Sequence, residues 1–581
     1  MQRMSEPTRP PLRVGIMLDA WAGSAWVAKI IEDIRASDFA ILSLVILNQA
    51  TFNPRKSLWR RLLRFDVSAA ALQGALFYVY SRLDERLFSR SPNAFQRVDL
   101  KELCPDVEVL QVAPEKKTFT DRFPSADVDF IRARDLDVIL RVGFRIIRGE
   151  ILSAARYGVW SFHHGDNRAY RGTPALFWEM YERNPVSGVV LQVLTDELDG
   201  GKVIYRSFAA TDLSSLFRQR NPIYWKASSF VIRRLRDLYF RGWEHIESTA
   251  TCQKDPQDLG KIYHKPTNLQ MLPFLWRTIV IHNLWRVSWN RTHVDSWSLA
   301  WRRTADAPIL KGEFNHRSLQ FIRPPADRFY ADPCAIAVGG RVFVFFEDFR
   351  YADQKAVVSC LELSESGPGQ VETVLTRPYH LSYPFLFEWN GDVFMAPETG
   401  ANRTVELYRA TNFPAGWELY RILLQDVEAV DPTFIHYDDR WWLFVNIKNE
   451  GGRAHDELHL FYADALDRAW TPHPNNPIVS DVRKARPAGR ILKVEGSLIR
   501  PTQDCTVTYG RAISFQRITL LSTLEYREEL VSRIEPPLEP GNIGVHTYTA
   551  CEGFEIVDAK REVWRNRFNR ESKQGSKSSR S

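Results

Sequence analysis

Two groups of residues have types and spacings that chemistry could use. His163 closes the apolar run Tyr157-Gly-Val-Trp-Ser-Phe-His163, and Asp199 stands in the turn Leu198-Asp199-Gly-Gly. An imidazole and a carboxylate at neighbouring strand ends can hold and relay a proton. Taken singly, the first also reads as a histidine packing at the end of a buried strand, and the second as a turn aspartate. The second group precedes prolines: Asp332-Pro333, Tyr383-Pro384, Asp431-Pro432 and Arg486-Pro487, with separations of 51, 48 and 55 residues. Two carboxylates at a defined distance can work as acid and base, whereas aspartates at such positions can also cap hairpins by bonding local amides. The six cysteines are scattered without a CxxC pair, which argues against a zinc site and against a disulfide framework. No metal is expected.

Elements must position these groups, and 581 residues are too many for one core. Hydrophobic content of 44%, charged content of 25% and 12% aromatics are those of a folded globular chain. In the N-terminal half, Arg13 to Asp19, Phe39 to Leu47 and Leu136 to Val142 read as buried strands. Ala69 to Leu87, a stretch near Gly149 to Arg156, and Leu213 to Tyr239 read as helices. Alternation of this kind predicts a mostly parallel sheet covered on both faces. The first strand runs into Asp19-Ala-Trp-Ala-Gly-Ser without GxGxxG, so a dinucleotide fingerprint is not supported. Open sheets bind ligands at the carboxyl ends of their strands, which directs attention to the loops after Val142 and Phe162.

The C-terminal half repeats itself. Six and seven residues past the first three prolines stand Gly339-Gly340, Asn390-Gly391 and Asp438-Asp439, and the fourth copy has Glu495-Gly496. Each pair is followed by an apolar run, which is a hairpin signal. A looser fifth copy runs from His546 through Phe554 to Lys560, and Trp297 to Trp301 is placed to complete the last unit. A period near 50 suits a β-propeller blade, so five blades are expected.

Charge and targeting narrow the partners. A net charge of +7 is spread along the chain, with a basic bias only at Arg561 to Ser581, and no nucleic acid is expected. Met1 to Arg13 is polar and proline-rich, unlike a signal peptide. With the unpaired cysteines, this places the chain in a reducing cytoplasm. The apolar segment Met271 to Trp289 is interrupted by Arg277, His282, Asn283 and Arg286. It reads as an interdomain helix, with peripheral contact to a membrane surface as the alternative.

The N-terminal layout resembles the folate-dependent formyltransferases over Val14 to Ser207. The carrying residues are Asp135-Leu-Asp-Val-Ile-Leu-Arg-Val-Gly-Phe144, Tyr157 to His163, Arg168-Ala-Tyr-Arg-Gly172-Thr-Pro174, Gly188-Val-Val-Leu-Gln192 and Leu198 to Tyr205. The resemblance implies that His163 donates to the oxyanion formed when an amine attacks a formyl group. It also implies that Asp199 sets the protonation of His163. Ser161 stands where the family has Asn. The same resemblance implies 10-formyltetrahydrofolate held along Val142, Gly143 and Phe144, and an acceptor held near His164, Arg171 and Gly172.

The C-terminal half resembles the N-terminal region of glucosamine inositolphosphorylceramide transferases. It does so through Tyr383-Pro-Phe-Leu-Phe-Glu388, Pro397-Glu-Thr399, Val405 to Arg409, Val430-Asp-Pro-Thr433, Ala485 to Arg490 and Gln503-Asp-Cys505. More remotely it is similar to five-bladed glycosidases, whose acids stand at blade starts. Asp332, Asp431 and Arg486 occupy those starts, with Glu398 and Glu495 nearby.

The expected plan is a flexible 1–12, a formyltransferase-like Rossmann-type α/β domain over 13–248, a linker over 249–304, a five-bladed β-propeller over 305–560, and a basic tail over 561–581. The expected function is formyl transfer to the amino group of a nucleotide- or lipid-linked sugar, with a propeller that binds a glycan or glycolipid through Asp332, Asp431 and Arg486. The alternatives are an inactive glycan-binding protein, or a glycosyl transferase or hydrolase acting through the propeller.

Overall fold

Uninterrupted apolar runs become inner strands, because a strand covered on both faces has no polar side to show. The computed structural model describes residues 9–49, 74–116, 120–197, 200–251, 261–303 and 318–565. The chain divides into unit 1, Met1–Ser207 with Thr211–Asn283 and Glu450–Gly452, and unit 2, Phe208–Ala210 with Leu284–Asn449 and Arg453–Ser581.

Unit 1 is built on a seven-stranded sheet. Its strands are β1 (Leu12–Leu18), β2 (Ala40–Asn48), β3 (Glu108–Val112), β4 (Val138–Arg141), β5 (Val159–His163), β6 (Val186–Val193) and β7 (Lys202–Ala210), in the order β7-β6-β5-β4-β1-β2-β3. The pairs β1–β2, β1–β4, β2–β3 and β4–β5 are parallel, and β5–β6 is antiparallel. The sheet is therefore mixed. Val14, Ile16, Leu44, Ile46, Val138 and Ile139 are fully buried in it.

The helices used below are α1 (Ala25–Ala36), α2 (Ala75–Phe88), α3 (Phe177–Glu182), α4 (Leu216–Arg241) and α5 (Asn268–Leu275). The helix expected near Gly149 to Arg156 is a single 3-10 turn, Glu150–Ser153. Gly149 and Gly158 bracket it with φ of 87° and 74°, conformations that interrupt helical propagation. The apolar segment Met271 to Trp289 is helical: α5 runs into a π-helical stretch, Trp276–Trp285, and then Arg286–Thr292. Thr267 and Gln270 start α5 with a reciprocal capping box. Among the described residues no helix is long and apolar enough to cross a membrane.

Unit 2 is a propeller-like succession of five antiparallel sheets. The first joins β8 (His293–Arg303) to Phe554–Trp564, so it draws strands from both ends of the unit. Three others are led by β9 (Arg328–Val338), β10 (Ser382–Trp389) and β11 (Ala429–Tyr437), and the last begins with the short strand Leu492–Val494 paired with β12 (Ser497–Asp504). The turns expected from sequence take positive φ at both central residues: 59° and 75° at Gly339-Gly340, 52° and 83° at Asn390-Gly391, and 53° and 52° at Asp438-Asp439. Two further such pairs are Glu495-Gly496 at 47° and 75° and, in the first sheet, Glu552-Gly553 at 44° and 74°. Two-residue hairpins of this hand match the twist of the strands they join.

Apolar residues of successive sheets pack together. Leu299 and Trp301 meet Ala335 and Val344, Phe345 meets Met395, Phe387 meets Trp441, Phe444 meets Leu498, and Phe515 meets Val557.

Candidate functional site

The strands leading three of the sheets carry the same irregularity. Pairing slips between Ala331 and Cys334, Ser382 and Phe385, and Val430 and Thr433. At each slip the first skipped residue takes a left-handed backbone, with φ 52° at Asp332, 44° at Tyr383 and 54° at Asp431. Such bulges re-aim a side chain, and non-glycine residues at positive φ cost about 1–3 kcal/mol each. The strain brings Asp332, Tyr383, Asp431 and, before β12, Arg486 into one buried polar group.

Two ion groups form its floor. Asp431 grips Arg486 by a two-pronged contact, Nε to Oδ2 at 2.5 Å and NH2 to Oδ1 at 3.0 Å, and Gln503 Nε2 donates to Oδ2 at 2.9 Å. Arg486 NH1 donates to His455 Nδ1 at 2.9 Å. Burial and the adjacent Arg486 cation depress the His455 pKa to about 3. The second group is Asp332–His546–Asp558, with 3.2 Å from Asp332 to Nε2 and 2.6 Å from Asp558 to Nδ1. Burial alone would lower the pKa of His546, but Asp558 and Asp332 outweigh it and raise the value. These three residues lie close enough to hold a cation, and both ring nitrogens of His546 face carboxylates. Tyr383 lines a small cavity beside Asp332. Its hydroxyl accepts from Gly489 N and bonds Thr433 Oγ1, each at 2.8 Å. A cavity of about 10 Å³ remains, room for one water.

The aspartates at the sheet starts are thus fully engaged. Asp332 accepts from Thr547 Oγ1 at 2.9 Å and from Tyr383 N at 3.3 Å, in addition to His546. Free hydrogen-bonding capacity lies with two glutamates on the second strands, Glu347 and Glu398. Glu398 Oε2 accepts from Asp431 N at 3.3 Å and lies 3.6 Å from Arg486. Its Oε1 bonds nothing among the described residues. Burial, then the Asp431 carboxylate, push the Glu398 pKa well up, against the pull of Arg486. Glu347 is raised in the same direction by burial and by Asp332 and Glu398, with His380 Nε2 at 3.4 Å. The side chain of Glu398 keeps 16% exposure and that of Glu347 9%, with His380 beside Glu347 at 33%. Asp332 is raised only to about 6, by burial opposed by His546.

Of the residues expected from sequence, Asp431 and Arg486 are in direct contact with Glu398 beside them, and Asp332 lies with His546 and Asp558. Glu495 instead sits in a hairpin turn at φ 47°. Glu347, His546 and Asp558 were not singled out as site residues. The available signal was that each stands one strand across from a sheet start.

Unit 1 gathers a second polar group at the end of β5. His163 Nε2 lies 2.7 Å from the Tyr170 carbonyl; a carbonyl only accepts, so Nε2 carries the proton. A Cβ on Gly165 would stand 3.1 Å from His163 Nε2 and 3.5 Å from Glu179 Oε1, so only glycine leaves both faces clear. Glu179, on α3, is buried with Oε1 unpartnered. Burial, then the Asp166 and Glu182 carboxylates, push its pKa to about 8. Arg206 donates to Asp166 at 2.5 Å and to Asn167 at 2.9 Å. Nothing in the local pattern distinguishes Glu179 from a surface acid on a short helix.

The remaining expected residues of unit 1 are spread around this group. Asp199 lies outside the described residues. Ser161 Oγ accepts from Arg141 Nε at 3.2 Å. His164 is half-buried, stacked on Tyr224 at 3.6 Å and 2°, and desolvation holds its pKa well down. Arg171 is buried in a two-stranded ladder with Ile262, beside Gly172. Gly143 lies against the Leu18–Asp19 backbone, and Phe144 packs into the core while its N donates to Asp19 at 2.7 Å. The cavity between Arg141, Arg148, Ser161, His163 and Gln192 is about 80 Å³, against several hundred for pockets that enclose a cofactor. The described walls do not enclose a folate-sized cavity.

Residues 294–540 match the family model described as glucosamine inositolphosphorylceramide transferase 1, N-terminal. The curated protein of that name from Arabidopsis thaliana is 30% identical over 294 residues, 49% of this chain and 35% of the relative. That from Oryza sativa subsp. japonica is 34% identical over 205 residues, 34% of this chain and 27% of the relative. The chain thus spans about a third of the length of the curated relatives it matches. Among solved structures, glycinamide ribonucleotide transformylase 1 from Symbiobacterium toebii aligns over 39% of this chain and 88% of its own, at 14% identity and a TM-score of 0.27, too slight a likeness to carry an argument.

Proposed function

We propose that the chain processes a glycolipid head group through unit 2, whose five sheets act as the blades of a five-bladed propeller. Glu398 is the proton donor to a glycosidic oxygen, and Arg486 orients the bound sugar beside it. The observation that carries this reading is Glu398 itself: an acid whose pKa burial and Asp431 push well up, still 16% exposed, with Oε1 bonding nothing among the described residues. A general acid must hold its proton at working pH and reach its target by one hydrogen bond. Glu347, on the neighbouring sheet and in the same electrostatic group, is the second carboxyl that glycosyl transfer or hydrolysis needs. The blade assignment is supported by the repeated turns, the repeated bulges and the first sheet built from both ends of the unit. The substrate class, a glucosamine-bearing inositol phosphate lipid, is supported by the names of the matched relatives.

Mass spectrometry of the full chain incubated with such head groups and with amino-sugar nucleotides tests the proposal. Wild type is expected to release or transfer a sugar, and Glu398→Gln to lower turnover at least roughly 10²-fold while binding persists. Glycan binding without turnover in wild type would leave the inactive binding protein as the reading. No binding at all would end both.

A further inference from the structure

The helix α2 turns Phe77, Tyr80 and Asp84 inward, which satisfies its packing. Its outer side nevertheless carries a second apolar stripe, Val79, Leu83 and Leu87, exposed by 52%, 53% and 74%. These lie at i, i+4 and i+8, one row along a helix. Arg82 and Arg86, each one residue before a leucine, form an exposed basic row beside it, and Arg90 follows just past the helix end. The acids are elsewhere. Asp84 is buried, accepting from Ser215 Oγ at 3.0 Å and from Phe217 N at 2.7 Å, and Glu85 is about 200° around the axis from Leu83 at 100° per residue.

The neighbouring α5 packs on α2 through Tyr80 and Phe274, with ring centroids 5.3 Å apart, and Asn268 Oδ1 accepts from Leu76 N at 3.1 Å. It too leaves an apolar row outside, with Trp276 62% exposed. From Asn268 to Trp285 there is no acidic residue.

We propose that unit 1 docks on the surface of an anionic lipid bilayer through the outer face of α2, with α5 alongside. A helix with an apolar stripe, an adjoining basic row and a tryptophan near by lies in the interface between head groups and acyl chains. The arginines meet anionic head groups while the leucines enter the apolar boundary. Pairing with a second copy about a twofold axis would set the basic rows against each other, which the charge pattern disfavours. The inference stands apart from the chemistry proposed for unit 2.

Vesicle sedimentation of the full chain tests it, with phosphatidylcholine alone against phosphatidylcholine mixed with phosphatidylglycerol. Expected are binding to the mixed vesicles, release by salt, and a blue shift of tryptophan emission. Leu83→Glu and Leu87→Glu should each weaken binding roughly tenfold or more, and Arg82→Glu and Arg86→Glu about fivefold or more each. All four side chains are exposed, so unchanged melting is the control for folding. Sedimentation that these variants leave unaltered, or that ignores phosphatidylglycerol, would overturn the proposal. So would a dimer in sedimentation velocity that Leu83→Glu dissolves.

Discussion

Replacing Asp431 by asparagine would remove one negative charge and little else. Arg486 is 7% exposed, so without Asp431 it would be a buried cation facing a neutral His455 and a protonated Glu398. Removing one partner of a buried pair costs about 3–5 kcal/mol. Glu398, 3.6 Å from Arg486, would be freed from its repulsion by Asp431 and would tend to ionise, which moves the cost to the lower end. At about 2–4 °C per kcal/mol for domains of roughly this size, Asp431→Asn should lower the melting temperature of unit 2 by about 6–12 °C in calorimetry. The partner substitution decides the cause. Arg486→Met alone strands Asp431, but with Asp431→Asn it leaves neither charge buried, so the double variant should recover most of the loss. If Asp431→Asn melts within about 2 °C of wild type, or if the two losses simply add, Asp431 does not hold Arg486 and is a hairpin cap.

Three further outcomes follow from the same geometry. Glu179 has a folded-state pKa of about 8 against an ordinary 4.5, so its contribution to stability is unimpaired below about pH 4.5 and is lost as pH rises towards 8. Glu179→Gln should therefore gain about 3 kcal/mol on wild type between pH 4.5 and 7; parallel urea-denaturation curves across that range would contradict the burial of a neutral acid. Gly172 has φ 93°, and a Cβ there would sit 2.1 Å from the Tyr263 carbonyl, so Gly172→Ala should cost at least about 1–3 kcal/mol, with lost hydrogen-exchange protection along Arg171–Gly172 and Ile262–Tyr263. Glu398→Gln should flatten the alkaline limb of any pH–rate profile for sugar release, because the group whose deprotonation ends activity is gone; an unchanged limb would assign the acid elsewhere.

Much of unit 2 was legible because its cues are local. A positive-φ pair such as Asn390-Gly391 announces its hairpin within two residues, and Pro333, Pro384 and Pro432 mark where three leading strands bulge. The apolar runs that became β1, β2 and β4 were likewise readable, since a strand buried on both faces needs no partner to reveal its pattern. The limit appeared where one residue type serves two purposes. His163 and His164 are adjacent and alike in sequence, yet the first bonds the Tyr170 carbonyl at the end of β5 and the second lies stacked on Tyr224. Strand alternation sends neighbours to opposite faces, and which face is core depends on α4, more than fifty residues downstream.

Sequence by itself determined an α/β half, an all-β half and the repeated two-residue hairpins, because each follows from patterns a few residues long, the hairpins recurring at a near-fixed period. Only the tertiary structure decided the protonation and the roles. Asp332 meets His546 and Asp558 across more than two hundred residues of chain, and Glu179 becomes a neutral acid only because the fold removes it from water beside Asp166. Desolvation and charge pairing act through space at a few ångströms, and no local pattern records which distant groups the closed fold will bring that near.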